Sequence, residues 1–71
     1  MPDAARITNQ IRRLRFEHGE MTQKELADRA GVTRQTILAL EAGKYNPSLE
    51  LAFRIAQVFQ TSVEAVFQFE E

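Results

Sequence analysis

The chain of 71 residues has no cysteine and no tryptophan, and it contains only three glycines and two prolines. Without cysteine, neither a disulfide framework nor a thiolate metal site is possible, and the composition suits a reducing cytoplasm, the expected location. No apolar run approaches the roughly 20 residues that a membrane-spanning helix needs, and the N-terminus lacks the apolar stretch of a signal peptide. We therefore expect one soluble domain that has no membrane partner.

The chain also lacks an excess of positive charge, since nine basic residues stand against ten acidic ones. Most nucleic-acid-binding domains are basic. The charges are unevenly distributed, however, because residues 4–16 hold four arginines and no acid, whereas residues 64–71 hold three glutamates and no base. Such polarity can steer a nearly neutral domain onto a polyanion, although mixed surface charge is an equally good explanation.

Helix signals follow one another along the first half of the chain. Apolar residues at Ile7, Ile11 and Leu14 have helical spacing and predict helix 1, which runs to about His18. The segment TQKE at 22–25 has the pattern of a capping box and begins helix 2, which runs to about Ala30. Strand signals are nearly absent, so the fold class is all-α.

A very short connection joins helix 2 to helix 3. Gly31 can adopt the left-handed conformation that ends helix 2, and Thr33 can cap a third helix over residues 34–42. Such a pair is typical of a helix-turn-helix, here residues 22–42, and the alternative is an ordinary hairpin of two helices. The residues expected to fill the wedge between the two helices are small or apolar: Leu26, Ala27, Val32, Ile37 and Leu40.

The second half of the chain predicts two more helices. Ser48 caps a helix over residues 49–59 that is more apolar than a single buried stripe requires, so we expect it to be surrounded on most sides. Ser62 caps a short fifth helix from Val63 to about Phe67. The termini, around residues 5–7 and 66–69, could extend and pair as short strands.

These motifs together resemble a known family. The stretch QKELADRAGVTRQTILALEAGKYNPSLELAFRIA is similar to the Cro/repressor-type (Xre) helix-turn-helix regulators, and the resemblance extends over about residues 11–67. Within it, TRQTI followed by E-x-G-K-Y-x-P-S-L-E-L-A resembles a subgroup of small, stand-alone dimeric repressors. The resemblance implies one five-helix, lambda-repressor-like DNA-binding domain over residues 1–71, with a flexible N-terminus at 1–5. It also implies that helix 3 is the recognition helix and that catalysis is absent.

Residues in and after helix 3 are candidates for reading bases. Arg34 can form two hydrogen bonds with guanine, with a phosphate clamp as its alternative role, and Gln35 can pair with adenine. Ala39 stands where related proteins often have a polar base-reading residue, and it could touch only a thymine methyl group. Asn46 can contact a phosphate or a base from the following loop.

Other residues are expected to bind phosphate. Gln23 matches the phosphate-binding glutamine of the family and lies at the positive N-terminus of helix 2. The remaining phosphate candidates are Arg15, Thr33, Thr36, Lys44 and Tyr45. The resemblance also implies that Arg15 forms a salt bridge with Glu41 that orients the arginine toward phosphate, and unpaired surface charges are the alternative.

The expected function is that of a repressor that binds an inverted-repeat operator in double-stranded DNA as a homodimer. Its predicted interface consists of apolar residues at the C-terminus: Val63, Val66, Phe67 and Phe69. An antitoxin of a toxin–antitoxin operon or a restriction–modification controller protein is the alternative, which a neighbouring toxin or methyltransferase gene would indicate. No enzyme, cofactor, metal or small-molecule effector is expected, because the only histidine, His18, lacks an evident catalytic partner.

Overall fold

The computed structural model describes residues 6–70, and the flexible N-terminus expected at residues 1–5 lies outside that range. The described part confirms the predicted fold class, with five helices and one antiparallel pair of short strands. In chain order the elements are β1 (Arg6–Asn9), α1 (Ile11–Glu17), α2 (Gln23–Ala30), α3 (Arg34–Glu41), α4 (Leu49–Val58), α5 (Val63–Val66) and β2 (Phe67–Glu70). Between residues 6 and 70, no helix is long and apolar enough to cross a membrane.

Helices α2 to α5 begin where side-chain caps were predicted. The Thr22 hydroxyl accepts a hydrogen bond from the Glu25 backbone N–H at 3.0 Å, and the Thr22 N–H donates to the Glu25 carboxylate at 2.9 Å. This capping box lowers the pKa of Glu25, chiefly because the Thr22 backbone N–H stabilises the ionised carboxylate. The hydroxyls of Ser48 and Ser62 cap α4 and α5 in the same way.

The N-terminal boundary of helix 1 differs from the prediction. Ile7 was counted on the helix, but it lies on β1 opposite Phe69, and the helix begins only at Ile11. The backbone before Ile11 is bound elsewhere, since the Gln10 N–H donates to the Val66 carbonyl at 2.8 Å. In addition, the Asn9 side chain accepts the Ile11 N–H at 3.1 Å and stops the helix from extending backward. Ile7 therefore packs against the core from the sheet.

One hydrophobic core lies between the helices, and one side of α4 packs against it. Leu51, Ala52, Ile55 and Ala56 of α4 are buried in it. The expectation that α4 is surrounded on most sides is wrong for the first part of the helix, where Leu49 and Phe53 are 72% and 53% exposed. Within residues 6–70, no other segment covers these two side chains.

Candidate nucleic-acid interface

The connection between α2 and α3 has the geometry that the sequence predicted. Gly31 has a φ of +77°, and the following Val32 N–H donates back to the Ala27 carbonyl at 3.0 Å. A Cβ atom on Gly31 would lie 2.8 Å from the Arg54 guanidinium, the end of a flexible side chain that can move aside, so it is the positive φ that favours glycine. Ala27 is buried at this crossing, where a larger side chain would separate the two helices.

The first turn of α3 is exposed and ordered by its cap. The Thr33 hydroxyl accepts the Thr36 backbone N–H at 3.2 Å and lies 3.1 Å from the Thr36 hydroxyl. Arg34 and Gln35 are exposed next to this cap, and within residues 6–70 their side chains form no hydrogen bond or ion pair. Two polar side chains with several donors are thus free to bind an external partner.

The other end of α3 is fixed by a largely buried cluster of polar side chains. Arg15 donates to both carboxylate oxygens of Glu41, at 2.7 and 3.1 Å, so the ion pair that the resemblance implied is present in the structure. Arg15 also donates to the Met21 carbonyl at 2.8 Å, and Gln23 donates its amide hydrogen to Glu41 at 3.2 Å. The Arg15 and Glu41 side chains are only 13% and 12% exposed. Most of the Arg15 fork is therefore turned inward, and only its remaining N–H groups are available for the predicted phosphate contact.

A further anchor of α3 was missed by the sequence reasoning. The Asn9 side-chain amide donates to the Leu40 carbonyl at 2.9 Å and so binds the last turn of α3 to the end of β1. Glu41, Asn9 and Gln23 come from different parts of the chain and meet at this helix end. The only indication of this contact in the sequence is the asparagine itself, since its side chain readily forms hydrogen bonds with backbone groups.

The loop after α3 lies at the far end of the helix from Arg34. Gly43, with a φ of +72°, ends the helix, and Lys44, Tyr45 and Asn46 are exposed after it. Since α3 has eight residues, it is about 12 Å long, and this length separates Arg34 at its start from the loop at its end. The structure thus separates the predicted contact residues into two groups. Their phosphate and base contacts remain predictions.

An open groove of about 720 Å³ runs between α1 and the outer side of α3. Arg12 and Arg13 line it, and the Arg12 guanidinium carbon lies 5.9 Å from the centre of the Phe16 ring. Gln23 and Leu38 line the side toward α2 and α3. In the sequence, the two arginines stand out only as part of the basic segment at residues 4–16. The periodicity of the helix could have predicted that both arginines lie on the outer side of α1.

The predicted dimer interface needs a correction. Val66 and Phe67 are buried in the core of the single chain, because β2 pairs with β1 and folds the C-terminus back onto the helices. They therefore have little surface to offer to a second copy. Val63 is half-buried and Phe69 is exposed, so these two remain candidates. The largest apolar side chains left exposed on α4 are Leu49 and Phe53, which line a shallow groove of about 440 Å³ with Val63.

Comparison with known proteins agrees with this architecture. The family model described as helix-turn-helix matches residues 11–66, so the chain belongs to the helix-turn-helix family, as the resemblance predicted. Family membership makes it a DNA-binding regulator of transcription, a class of protein that is typically not enzymatic.

Several relatives are described as HTH-type transcriptional regulators whose own functions are uncharacterised. One from Archaeoglobus fulgidus is 53% identical over 92% of this chain and 91% of its own length. YgzD of Bacillus subtilis is 44% identical over 92% of this chain and 97% of its own length. A crystal structure of a candidate DNA-binding protein from Bacteroides fragilis has the same fold, with a TM-score of 0.76 at 22% identity, covering 87% of this chain and 98% of that chain.

Proposed function

We propose that the protein is a transcriptional repressor that binds an inverted-repeat operator as a homodimer, with α3 in the major groove. The observation that supports this most directly is the first turn of α3. Its Arg34 and Gln35 side chains are exposed and have no partner within residues 6–70. Arg34 can donate hydrogen bonds to the two acceptors of guanine, and Gln35 can both donate to and accept from adenine. Each such pair contributes about 1–3 kcal/mol of discrimination against the wrong base.

The anchoring of α3 also supports a role in reading sequence. A side chain discriminates between bases only if its backbone is held in a fixed position while it binds. The Thr33 cap fixes one end of α3, and the contacts of Glu41 and Leu40 with Arg15 and Asn9 fix the other end. Little ordering of the helix is then required on binding, which favours affinity.

Phosphate contacts are proposed on both sides of the recognition helix. Gln23 lies at the N-terminus of α2, where the helix dipole favours an anion, and it keeps one amide hydrogen free of Glu41. Lys44 and Tyr45 are exposed in the loop beyond α3 and could hold the backbone on the other side. Such contacts would set the register of α3 in the groove without reading sequence.

The homodimer is supported by the exposed apolar surface on α4. Leu49 and Phe53 are one helical turn apart, and Val63 at the start of α5 lines the same groove. A second copy of this chain is the proposed occupant, since these apolar side chains stay exposed in the single chain and exposed apolar patches often mark an interface. Because α4 packs on α2 and α5 rather than extensively on α3, a contact there leaves α3 free. Two-fold symmetry then requires an inverted repeat with half-sites about 34 Å apart.

Two measurements test the proposal. Selection of bound sequences from a random DNA pool should enrich an inverted repeat, and sedimentation should show a dimer at micromolar concentration. Phe53→Glu should produce monomers that bind a half-site weakly, because it places a charge in the apolar contact. Phe16→Glu, which changes an equally exposed phenylalanine on α1, should leave the dimer intact. A monomer in the unmodified protein would refute the interface, and enrichment of direct repeats would refute the symmetry.

A further inference from the structure

One exposed leucine lies on the recognition helix itself. Leu38 is 46% exposed and follows Arg34 by four residues and Gln35 by three. Residues with these spacings share one side of a helix, so Leu38 lies one turn along from both predicted base-reading residues. We propose that Leu38 is a specificity-determining residue that packs against the 5-methyl group of thymine in the major groove. The proposal rests on the function proposed above, with α3 in that groove.

The chemistry of α3 changes along its outer side. The cap Thr33 and the first turn, Arg34, Gln35 and Thr36, are polar. Farther along, Leu38 and Ala42, the residue that follows the helix, are exposed, and Ala39 is half-buried. None of the latter side chains can donate or accept a hydrogen bond. The thymine methyl group is the apolar feature that the major groove presents. A half-exposed leucine at this position is therefore better suited to contact thymine than to contact guanine or cytosine.

Other roles for Leu38 fit the structure less well. The core side of α3 is formed by Ile37 and Leu40, which are fully buried, while Leu38 points away from it into the groove beside α1. The apolar surface proposed for the dimer lies on α4 and α5, and Leu38 does not line it. Single exposed leucines are common on protein surfaces. The position of Leu38 between Arg34 and Ala42 on the reading side distinguishes it from such a leucine.

The helix geometry also predicts where this thymine lies relative to the base pair read by Gln35. Three to four residues of α-helix advance about 5 Å, which corresponds to one or two base pairs of DNA at about 3.4 Å each. The thymine contacted by Leu38 should therefore lie within about two base pairs of the base pair read by Gln35. The operator half-site is thus predicted to contain a thymine whose methyl group, rather than its hydrogen-bonding pattern, is recognised.

The test replaces thymine with uracil in the DNA sequence that the unmodified full-length protein selects from a random pool. Deoxyuridine removes only the methyl group, so base pairing and the hydrogen-bonding edge stay the same. Substitution of the contacted thymine in one half-site should weaken binding by about fourfold, the effect of one buried methyl group, and substitution in both half-sites should weaken it by about sixteenfold. Leu38→Ala should bind the thymine and uracil versions equally, and its alanine keeps the helix favourable.

Two control variants distinguish the possible failures. Phe16→Ala removes an exposed apolar side chain outside α3 and outside the proposed dimer contact, and it should keep the full discrimination between thymine and uracil. If Leu38→Ala keeps the same uracil sensitivity as the unmodified protein, the assignment of Leu38 is overturned while the reading role of α3 stands. If Gln35→Ala also leaves the base preference of the whole half-site unchanged, the proposed placement of α3 has failed, and the role of Leu38 fails with it.

Discussion

The two ends of α3 have similar side chains nearby, but these side chains differ in whether they are bonded within the protein. At its start, Arg34 and Gln35 are exposed and have no partner within the described residues. At its end, Glu41 accepts hydrogen bonds from an arginine and a glutamine in a largely buried cluster, at distances of 2.7–3.2 Å. The same side-chain types are thus unbonded at one end and bonded to Glu41 at the other.

The difference shows how a small domain can keep binding side chains available on a rigid helix. Polar side chains that bind an external partner gain most if they are not already bonded within the protein. The backbone beneath them must nevertheless be fixed, and in this chain the far end of the helix supplies the fixing contacts. Arg15, Asn9 and Gln23 come from three separate elements, so the position of α3 depends on the whole fold.

Breaking the anchored end should have the largest effect. Arg15→Gln or Glu41→Gln leaves one charge of a largely buried pair without its partner and should lower the free energy of unfolding by about 3 kcal/mol. Urea unfolding of both single variants and the double variant measures this coupling. Lys24→Gln breaks the exposed pair with Asp28 and is the matched control, with an expected change below about 1 kcal/mol. An interaction energy below about 0.3 kcal/mol in the Arg15–Glu41 cycle would contradict the anchoring role.

Changes at the free end should affect DNA binding and leave stability nearly intact. Gln35→Ala should cost about 1–3 kcal/mol of binding free energy and relax the preference at one base pair per half-site. Its unfolding free energy should change by less than about 0.5 kcal/mol, since Gln35 is exposed. Binding to a library of single-base variants of the selected site measures the preference.

Gln23→Ala provides the comparison for Gln35→Ala, because Gln23 is expected to contact phosphate. It should weaken binding to every site by a similar factor and leave the base preference unchanged. A change of preference in Gln23→Ala, or an unchanged preference in Gln35→Ala, would reverse the two assignments.

The smallest effect is expected at the N-terminus of α2, where a capping box adjoins the anchored cluster. The pKa of Glu25 is lowered below its ordinary value near 4.5, so its ionised form stabilises the fold. This contribution is present above the ordinary pKa and is lost as the pH falls through the lower folded-state pKa. Glu25→Gln should therefore reduce the loss of stability between neutral and acidic pH, which unfolding measured as a function of pH would detect. If the unfolding free energy of the variant has the same pH dependence as that of the unmodified protein, the Glu25 carboxylate is not the source of this stabilisation.

Much of the local structure could be predicted because it depends on residues three or four positions apart. Thr22, Thr33 and Ser48 each bond to a backbone N–H three residues ahead, so their presence in the sequence was a sufficient signal. Gly31 was equally informative, since few other residues adopt its conformation. The boundaries of α2, the turn and the start of α3 followed from these residues.

Burial at the two ends of the chain could not be predicted in this way. Val66 and Phe67 resembled interface residues, and Ile7 resembled a helix residue, until the pairing of β1 with β2 placed all three against the core. Met21 is buried between helices although no periodic pattern includes it. The possible pairing of residues 5–7 with residues 66–69 was predicted from the sequence, and the structure confirms a pairing of these segments. Which side chains become buried was not predicted, because the residues that cover them lie far away in sequence.

The amino-acid sequence by itself thus determined the helices, their caps, the tight turn and the polar first turn of α3, since each follows from the conformational preferences and short-range hydrogen bonds of neighbouring residues. Only the tertiary structure decided which apolar residues remained exposed and how α3 is anchored. The bond from Asn9 to Leu40 joins residues 31 positions apart, and the pair of Arg15 with Glu41 spans 26. Such contacts exist only after packing has brought distant segments together and removed them from water.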